Sequence, residues 1–465
     1  MRYLFRISLF AAVSLPASLC AQTQPPDDLT NEVAQLRALV IQLQGRVQDL
    51  EARLPAAPAP PVQTAAATAQ VPADQSLPSA NPSSQAAIPS WPTGTTFNVL
   101  IDTYYGYNFN NPIGRYNLLR AYDVLSNAIS LNQAAVVIEN APDAANGKRY
   151  GARLDLQWGQ ATETLQGNPA NEPRPEIYRN IFQAYGTYVF PVSRGLTVDL
   201  GKWASSLGIE GNYTKDQLNY SRSYWFDFLP FYHMGVRANY KLSDAVGFNY
   251  WLVNGTQQTE PYNGFKDEMF GLNLQPHKSV NVTINYYLGQ EHPDVIYYPN
   301  GVPATVPPDL PEIQGTPFQP ITNAPNGKLH IFDSYVSWQP STNLTLALEG
   351  DYLIQRLLRT SSPSHTDGGA VYASYQFSPR VAFAGRAEYL SDRGGLFTGA
   401  NQALKETTLT ARYKMGDGLM ALGEWRRDFS NNAYFLTDTL GRIKKEQNTA
   451  TLGLIFWWGS KQGLW

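Results

Sequence analysis

The chain has 465 residues, of which 16% are charged and 12% are aromatic, and tyrosine is the commonest aromatic residue with 28 copies. A formal net charge of −3 provides no basic surface for nucleic acid, so we exclude nucleic-acid-binding proteins. Few charges and many tyrosines are typical of a transmembrane β-barrel, in which aromatic girdles lie at both membrane interfaces.

The first 21 residues have the pattern of a secretory signal peptide. Two arginines precede an apolar run over residues 7–15, and small residues end the segment, so we predict cleavage after Ala21. Cys20 is the only cysteine, and lipid modification there is the alternative. Leu19 stands where a lipoprotein signal has a small residue, which favours plain secretion. Cleavage after Ala21 leaves no cysteine for disulfides or thiolate ligands.

Residues 22–54 contain an unbroken heptad repeat that predicts an α-helical coiled coil. Leucine fills the d positions, and valine or leucine fills the a positions. These core residues are Leu29, Val33, Leu36, Val40, Leu43, Val47, Leu50 and Leu54. The alternative is a single amphipathic helix lying on the rest of the protein, but the filled a and d positions favour self-association. Pro55 then ends the helix.

Two features of this heptad predict different oligomers. Valine at a with leucine at d favours two parallel helices. Leu39, however, occupies a g position and widens the apolar stripe, so a dimer leaves it partly exposed. Because burial of a leucine side chain contributes about 1.5–3 kcal/mol, we predict a homotrimer.

Residues 55–95 consist mainly of proline, alanine, serine, glutamine and threonine, with few bulky apolar side chains. Such a segment cannot bury a core, so we predict a disordered linker. At about 3.1 Å per residue it reaches on the order of 100 Å when extended.

From residue 96 to residue 465 apolar and polar residues alternate with period two, which predicts an all-β fold. The pattern fits an antiparallel up-and-down transmembrane β-barrel of about 16 strands. In the segment 280–289, for example, Val282 and Ile284 are predicted to face lipid, and Thr283 and Asn285 to face the lumen. The predicted strands are 97–107, 128–139, 150–158, 181–190, 196–202, 233–241, 246–253, 269–275, 280–289, 330–339, 344–353, 369–377, 381–392, 405–414, 418–428 and 448–458.

The connections between these strands are alternately long and short. Long extracellular loops and tight periplasmic turns produce this alternation in outer-membrane barrels, and it places both ends of the barrel on the side of the turns. The connection 140–149 is the exception, because it is long where a tight turn is expected. After the signal peptide no stretch has the 18 or more consecutive apolar residues of a spanning helix, so strands must cross the membrane.

The third long connection, residues 203–232, combines aromatic residues with charges of both signs. We predict that it folds into the barrel and narrows it, with five candidate constriction residues: Glu210, Lys215, Asp216, Arg222 and Asp227. Strand parity places further charges on the inner wall: Arg153, Asp155, Asp199, Arg237, Glu349, Asp351, Arg386, Glu388 and Arg412. Opposed charges can select solutes by sign and size. The alternative is a polar interior without a selective role.

Five segments in the N-terminal half of the barrel have a recognisable sequence pattern: SLNQAAVVIE (130–139), QAYGTYVFP (183–191), VDLGKWASSLGIE (198–210), NYSRSYWFDFLPFYHMGVR (219–237) and WLVNG (251–255). The barrel resembles the general trimeric porins, whose third loop forms a constriction, and more specifically the beta-barrel porins of the OmpL-like group. The resemblance implies a pore in the outer membrane of a Gram-negative-type bacterium, with the N-terminal region in the periplasm. It implies no particular substrate.

We therefore expect a porin that lets small hydrophilic solutes or ions diffuse passively through the barrel, embedded in outer-membrane lipid. One alternative is a structural anchor that holds the cell wall, and thus peptidoglycan, through the coiled coil. Another is a lipid hydrolase, because His330 and Ser334 share the lipid-facing parity of their strand. No G-x-S-x-G element accompanies them, so we predict that the protein is not an enzyme.

We predict no cofactor and no metal. The five histidines lack metal-ligand spacing. Glu349 and Asp351 are positioned to share a cation on the lumen wall, but two carboxylates without further oxygen ligands are a weak signal for Ca²⁺.

Overall fold

The computed structural model describes residues 94–166, 172, 174–297, 318–320, 324–461 and 463–465. The predicted signal peptide, the coiled coil and nearly all of the linker lie outside the described residues, so those predictions stay untested.

Sixteen antiparallel strands form a closed barrel in which each strand pairs with its neighbours in the sequence, and β1 pairs with β16. The strands are β1 (Thr95–Asn108), β2 (Ala128–Asn140), β3 (Tyr150–Trp158), β4 (Ile181–Phe190), β5 (Leu196–Ala204), β6 (Tyr232–Lys241), β7 (Val246–Val253), β8 (Asp267–His277), β9 (Val280–Gly289), β10 (Leu329–Ser341), β11 (Leu344–Gln355), β12 (Ser364–Gln376), β13 (Val381–Arg393), β14 (Gln402–Gly416), β15 (Leu419–Ser430) and β16 (Glu446–Gly459). The predicted sixteen-stranded barrel is confirmed.

The alternation of side chains explains why these segments form a barrel. In β9, Ile284 faces outward and is 47% exposed, whereas Asn285 and Tyr287 face inward and are 2% and 0% exposed. The outward positions carry apolar and aromatic side chains that lipid can cover, and the inward positions carry polar ones. Closure pairs Val99 of β1 with Trp458 of β16, which leaves no open sheet edge in the membrane.

Short turns join the strands at the end of the barrel where β1 begins and β16 ends. The turn between β14 and β15 requires Gly418, because its φ is +86° and a Cβ atom there would lie 2.2 Å from the carbonyl oxygen of Trp457. The longer connection after β2 is ordered by its own small turn, in which Asp143 pairs with Lys148 and accepts a hydrogen bond from the Asn146 N–H. This local pairing explains why the connection departs from the tight-turn pattern.

Longer loops extend from the other end of the barrel and contain short helices: α1 (Gln160–Leu165), α2 (Pro175–Tyr178) and α3 (Tyr224–Phe228). Two small antiparallel ladders also occur in these loops, Val295–Tyr297 with Phe318–Pro320 and Phe435–Leu436 with Ile443–Lys444. Among the described helices, none is long and apolar enough to cross a membrane.

Candidate functional site

The connection between β5 and β6, residues 205–231, lies inside the barrel, and we call it the inner loop. The Tyr220 hydroxyl donates to Asp102 of β1 at 2.9 Å, and the Ile209 N–H donates to Glu349 of β11 at 3.1 Å. In a ring of sixteen strands, β13 stands opposite β5, so the contacts of the inner loop with β1, β11 and β13 to β15 span the lumen. The inner loop therefore crosses the bore.

Carboxylates on the far wall hold the backbone of the inner loop. Glu424 of β15 accepts hydrogen bonds from the N–H groups of Tyr220 and Ser221, at 2.6 and 2.9 Å. Glu388 of β13 accepts from the Tyr224 N–H at 2.8 Å, at the start of α3. Three backbone N–H groups thus donate to carboxyl oxygens of two wall residues, which fixes this segment against the wall.

Arg386 of β13 is the central cation of this contact and is completely buried. Its Nη1 donates to Glu210 at 2.7 Å and to the carbonyl oxygen of Ser221 at 2.9 Å. Its Nη2 donates to the carbonyl oxygen of Arg222 at 3.1 Å, and its Nε donates to Glu406 of β14 at 3.1 Å. One guanidinium thus joins two wall strands to both sides of residues 210–224, which we call the tip of the inner loop.

Arg222, a candidate constriction residue, lies within the fold of the inner loop and is only 2% exposed. Its guanidinium donates to the carbonyl oxygens of Gly211, Asn212 and Tyr220, at 3.0, 3.0 and 2.7 Å. It also stacks on the Tyr122 ring, 4.0 Å from the centroid. These bonds join the two sides of the tip, so the geometry gives Arg222 a positioning role in the loop.

The other candidates have different surroundings. Glu210 is the loop partner of Arg386. Lys215 pairs with Asp216 at 2.7 Å, donates to the carbonyl oxygen of Gly463 and lies over the ring of Trp465, at the end of the barrel with the short turns. The Asp216 side chain is 15% exposed, and Asp227 is a half-buried residue.

Asp227 lies in α3, whose first turn is capped by the Ser223 hydroxyl. Burial raises the pKa of the Asp227 carboxyl to about 6, although Arg426 and Arg120 act to lower it. Asp123 in the first loop faces the same arginines, and burial raises its pKa to about 6 as well. Both carboxyls therefore titrate just below neutral pH.

The structure places the nine charged wall residues on the inner face. Arg153 pairs with Asp155 at 2.8 Å, and Arg237 pairs with Asp199 at 2.8 Å. Arg412 donates to the carbonyl oxygen of Gln217 in the inner loop at 3.1 Å. The remaining four contact the inner loop or lie beside such a contact: Glu349, Asp351, Arg386 and Glu388.

Parity also predicts inner-wall charges that the sequence analysis did not single out: Glu406, Glu424, Arg426 and Asp428. Alternating charges at 424, 426 and 428 are a clear period-two signal. Arg120 had no such signal, because it lies in the irregular first loop, from which it donates to Asp428 at 2.7 Å.

The two residues of the hydrolase alternative do not form a catalytic pair. His330 Nδ1 lies 2.9 Å from the Tyr286 hydroxyl oxygen, and the Ser334 hydroxyl donates to the carbonyl oxygen of Gly350 at 3.3 Å. Four residues along a strand span about 13 Å, far beyond hydrogen-bond distance.

A closed sixteen-stranded barrel with a charged loop across its lumen is the architecture of an outer-membrane porin. The family model described as "Putative beta-barrel porin-2, OmpL-like" matches residues 94–457, and the chain belongs to this family. The comparison with curated proteins found no match.

Solved structures with a similar barrel include the outer-membrane channel DcaP of Acinetobacter baumannii, with 9% identity and a TM-score of 0.49, covering 78% of this chain and 97% of that one. Others are an anion-selective porin from Comamonas acidovorans (6% identity, TM-score 0.48, 78% of this chain and 99% of that one) and OprB of Pseudomonas putida (11% identity, TM-score 0.48, 79% and 94%). At these identities and scores the similarities say nothing about what this chain transports.

Proposed function

We propose that the protein is a porin that lets small hydrophilic solutes or ions diffuse passively through a bore narrowed by the inner loop. This proposal depends on one observation. The inner loop crosses the lumen, and Arg386, Glu388 and Glu424 hold its tip against the far wall. A loop held by buried charged hydrogen bonds sets a constant bore.

The charges divide into two groups with different roles. Glu210 and Arg222 are nearly buried and position the inner loop. Lys215 does so through its contacts with Asp216, Gly463 and Trp465. Asp216 and Asp227 keep solvent-exposed surface, so they act on the field that a passing ion meets.

Single-channel recording of the purified full chain in planar bilayers tests this function. We expect discrete conductance steps and a non-zero reversal potential in asymmetric salt. A structural anchor whose lumen is plugged gives no steps, so their absence in a folded barrel would support the anchor that tethers peptidoglycan through the coiled coil.

The selectivity of the pore should depend on pH. Asp227 carries charge above its pKa of about 6 and loses it below, so acidification from pH 7.5 to pH 5 should move the reversal potential toward anion preference. Asp123 titrates in the same range but is buried against Arg120. In Asp227→Asn we therefore expect less than about half of the wild-type shift. An equal shift in both proteins would exclude Asp227 as its source.

For the N-terminal region we propose a periplasmic homotrimeric coiled coil over residues 22–54, joined to the barrel by the linker. A peptide of residues 27–55 should sediment as a trimer, because Leu39 at g adds apolar area that a trimer buries. Leu39→Glu should shift it toward smaller species, and Gln42→Glu at the exposed c position should not. If the peptide sediments as a dimer and Leu39→Glu does not change its size, the coiled coil does not form the trimer. Any trimerisation would then depend on the barrel walls.

A further inference from the structure

A second group of charges on the inner wall consists of carboxylates alone. Asp333 of β10 lies opposite Asp351 of β11 in the strand register, and Glu349 is two residues before Asp351. One oxygen from each of the three side chains lies within 4.8 Å of the others. Asp333 is 1% exposed, Asp351 is 5% exposed and Glu349 is 2% exposed. The protein thus concentrates three carboxylates where little water reaches them.

Within the described part of the chain, no lysine or arginine forms an ion pair with these three carboxylates. Their hydrogen-bond donors are neutral. The Gly208 N–H donates to Asp333 at 3.2 Å, and Glu349 accepts from the Ile209 N–H at 3.1 Å and from the Tyr372 hydroxyl at 2.9 Å. Neutral donors soften the repulsion among carboxylates but do not supply the positive charge that three of them require.

The cluster also contains buried oxygens without a hydrogen-bond partner. Both carboxylate oxygens of Asp351 lack a hydrogen-bond partner, and so does Oδ1 of Asn285 on β9, which is 2% exposed. Nδ2 of Asn285 donates to Asp333 at 2.7 Å and to the carbonyl oxygen of Ser206 at 3.2 Å, so two acceptors fix which end of the amide carries the oxygen. A buried polar atom without a partner is unfavourable, and a cation among the three carboxylates would satisfy the oxygens of Asp351.

We propose that Asp333, Glu349 and Asp351 bind a divalent cation of the Ca²⁺ type. The donor set contains only oxygen, which hard cations prefer. Ca²⁺–oxygen distances of 2.3–2.6 Å allow two ligands of one ion to be up to about 5 Å apart, so three oxygens within 4.8 Å of one another can share an ion. Mg²⁺ keeps several waters in a strict octahedron, so a buried cluster of carboxylates suits it less well.

The site would also fix the first part of the inner loop. Gly208 and Ile209 donate their N–H groups to the carboxylates that hold the ion, so ion, wall and loop form one unit. Gly208 has a φ of +81°, and a Cβ there would lie 3.0 Å from Glu349 Oε1, which shows how closely the backbone approaches the cluster. The site does not depend on whether the barrel conducts.

Equilibrium dialysis of CaCl₂ with the full chain, purified in detergent without lipopolysaccharide and first stripped with EGTA, tests the proposal. We expect wild type to bind one Ca²⁺ per chain and Asp351→Asn to bind it at least about tenfold more weakly. Asp417→Asn removes an exposed carboxylate in a turn and should bind like wild type. No uptake by wild type would overturn the site, because the carboxylates would then hold protons instead. Equal uptake by wild type and Asp351→Asn would overturn it as well.

A luminescence measurement on wild type alone covers the case in which Asp351→Asn does not fold. Tb³⁺ should replace Ca²⁺, and its emission lifetime in H₂O and D₂O should report fewer than about three bound waters, because protein oxygens fill most of the coordination shell. Added Ca²⁺ should abolish this emission. A fully hydrated Tb³⁺, or emission that Ca²⁺ does not displace, would overturn the buried site.

Discussion

Replacing residues 212–221 of the inner loop with two glycines should raise the single-channel conductance at least about twofold, because this segment reaches farthest across the bore. The Asn219 side chain donates to Thr410 of β14 at 2.7 Å, and the Ser221 N–H donates to Glu424 of β15 at 2.9 Å, both on the far wall. The ends of the deletion lie within one side-chain length of each other, because Arg222 Nε is 3.0 Å from the Gly211 carbonyl oxygen. A short bridge can therefore close the gap without moving the strands.

A matched control shortens an exposed loop outside the lumen. Removing residues 359–362 between β11 and β12 should leave the conductance unchanged, since most of these side chains are exposed. If the tip deletion leaves a folded barrel with wild-type conductance, the inner loop does not limit the flow of ions.

Arg386→Gln should lower the free energy of unfolding by about 3–5 kcal/mol, because removal of one partner leaves buried charges without compensation. Arg386 is the ion-pair partner of Glu210, at 2.7 Å, and it also holds Glu406 at 3.1 Å. In this variant Glu406 still has a cation beside it, because Arg426 lies 3.6 Å away. Glu210, which loses its ion-pair partner, should therefore account for most of the loss of stability. Urea unfolding in lipid vesicles, followed by tryptophan fluorescence, measures the change.

Arg380→Gln serves as the control for this substitution. Arg380 lies exposed in the turn between β12 and β13, so the same change there should alter stability by less than about 1 kcal/mol. If Arg386→Gln and Arg380→Gln change the free energy of unfolding equally, water must reach Arg386 and screen its ion pairs.

The strands were predictable because lipid on one side and polar contacts on the other impose a strict period of two. The predicted bounds of Tyr150–Trp158, Ile181–Phe190, Val246–Val253 and Val280–Gly289 agree with the structure at both ends. The start of β12 was predicted at Gly369, but the strand begins at Ser364. There the strand extends beyond the membrane, where both faces are polar and the alternation disappears.

The contacts of the candidate site were less predictable, because they depend on the path of the backbone in loops, and the period-two pattern of the strands does not predict that path. The partners of Arg222 are carbonyl oxygens of its own loop, and their positions follow from the three-dimensional path of that loop. The pairing of Asp333 with Asp351 depends on an irregularity between Trp338 and Ser341. The tight turn alone would set the register one residue away, so the cluster of three carboxylates could not be derived from the turn.

The anchors of the inner loop also constrain the order of folding. Tyr224 is bound by Glu388, 164 residues later in the chain, and Tyr220 is bound by Glu424, 204 residues later. Contacts at such separations form slowly, because the intervening chain must first be ordered. Neighbouring strands can pair before β13 to β15 have formed. Until these strands form, the residues that bind the tip of the inner loop are not in place. The bore therefore reaches its final width only in the last steps of folding, after most of the barrel has formed.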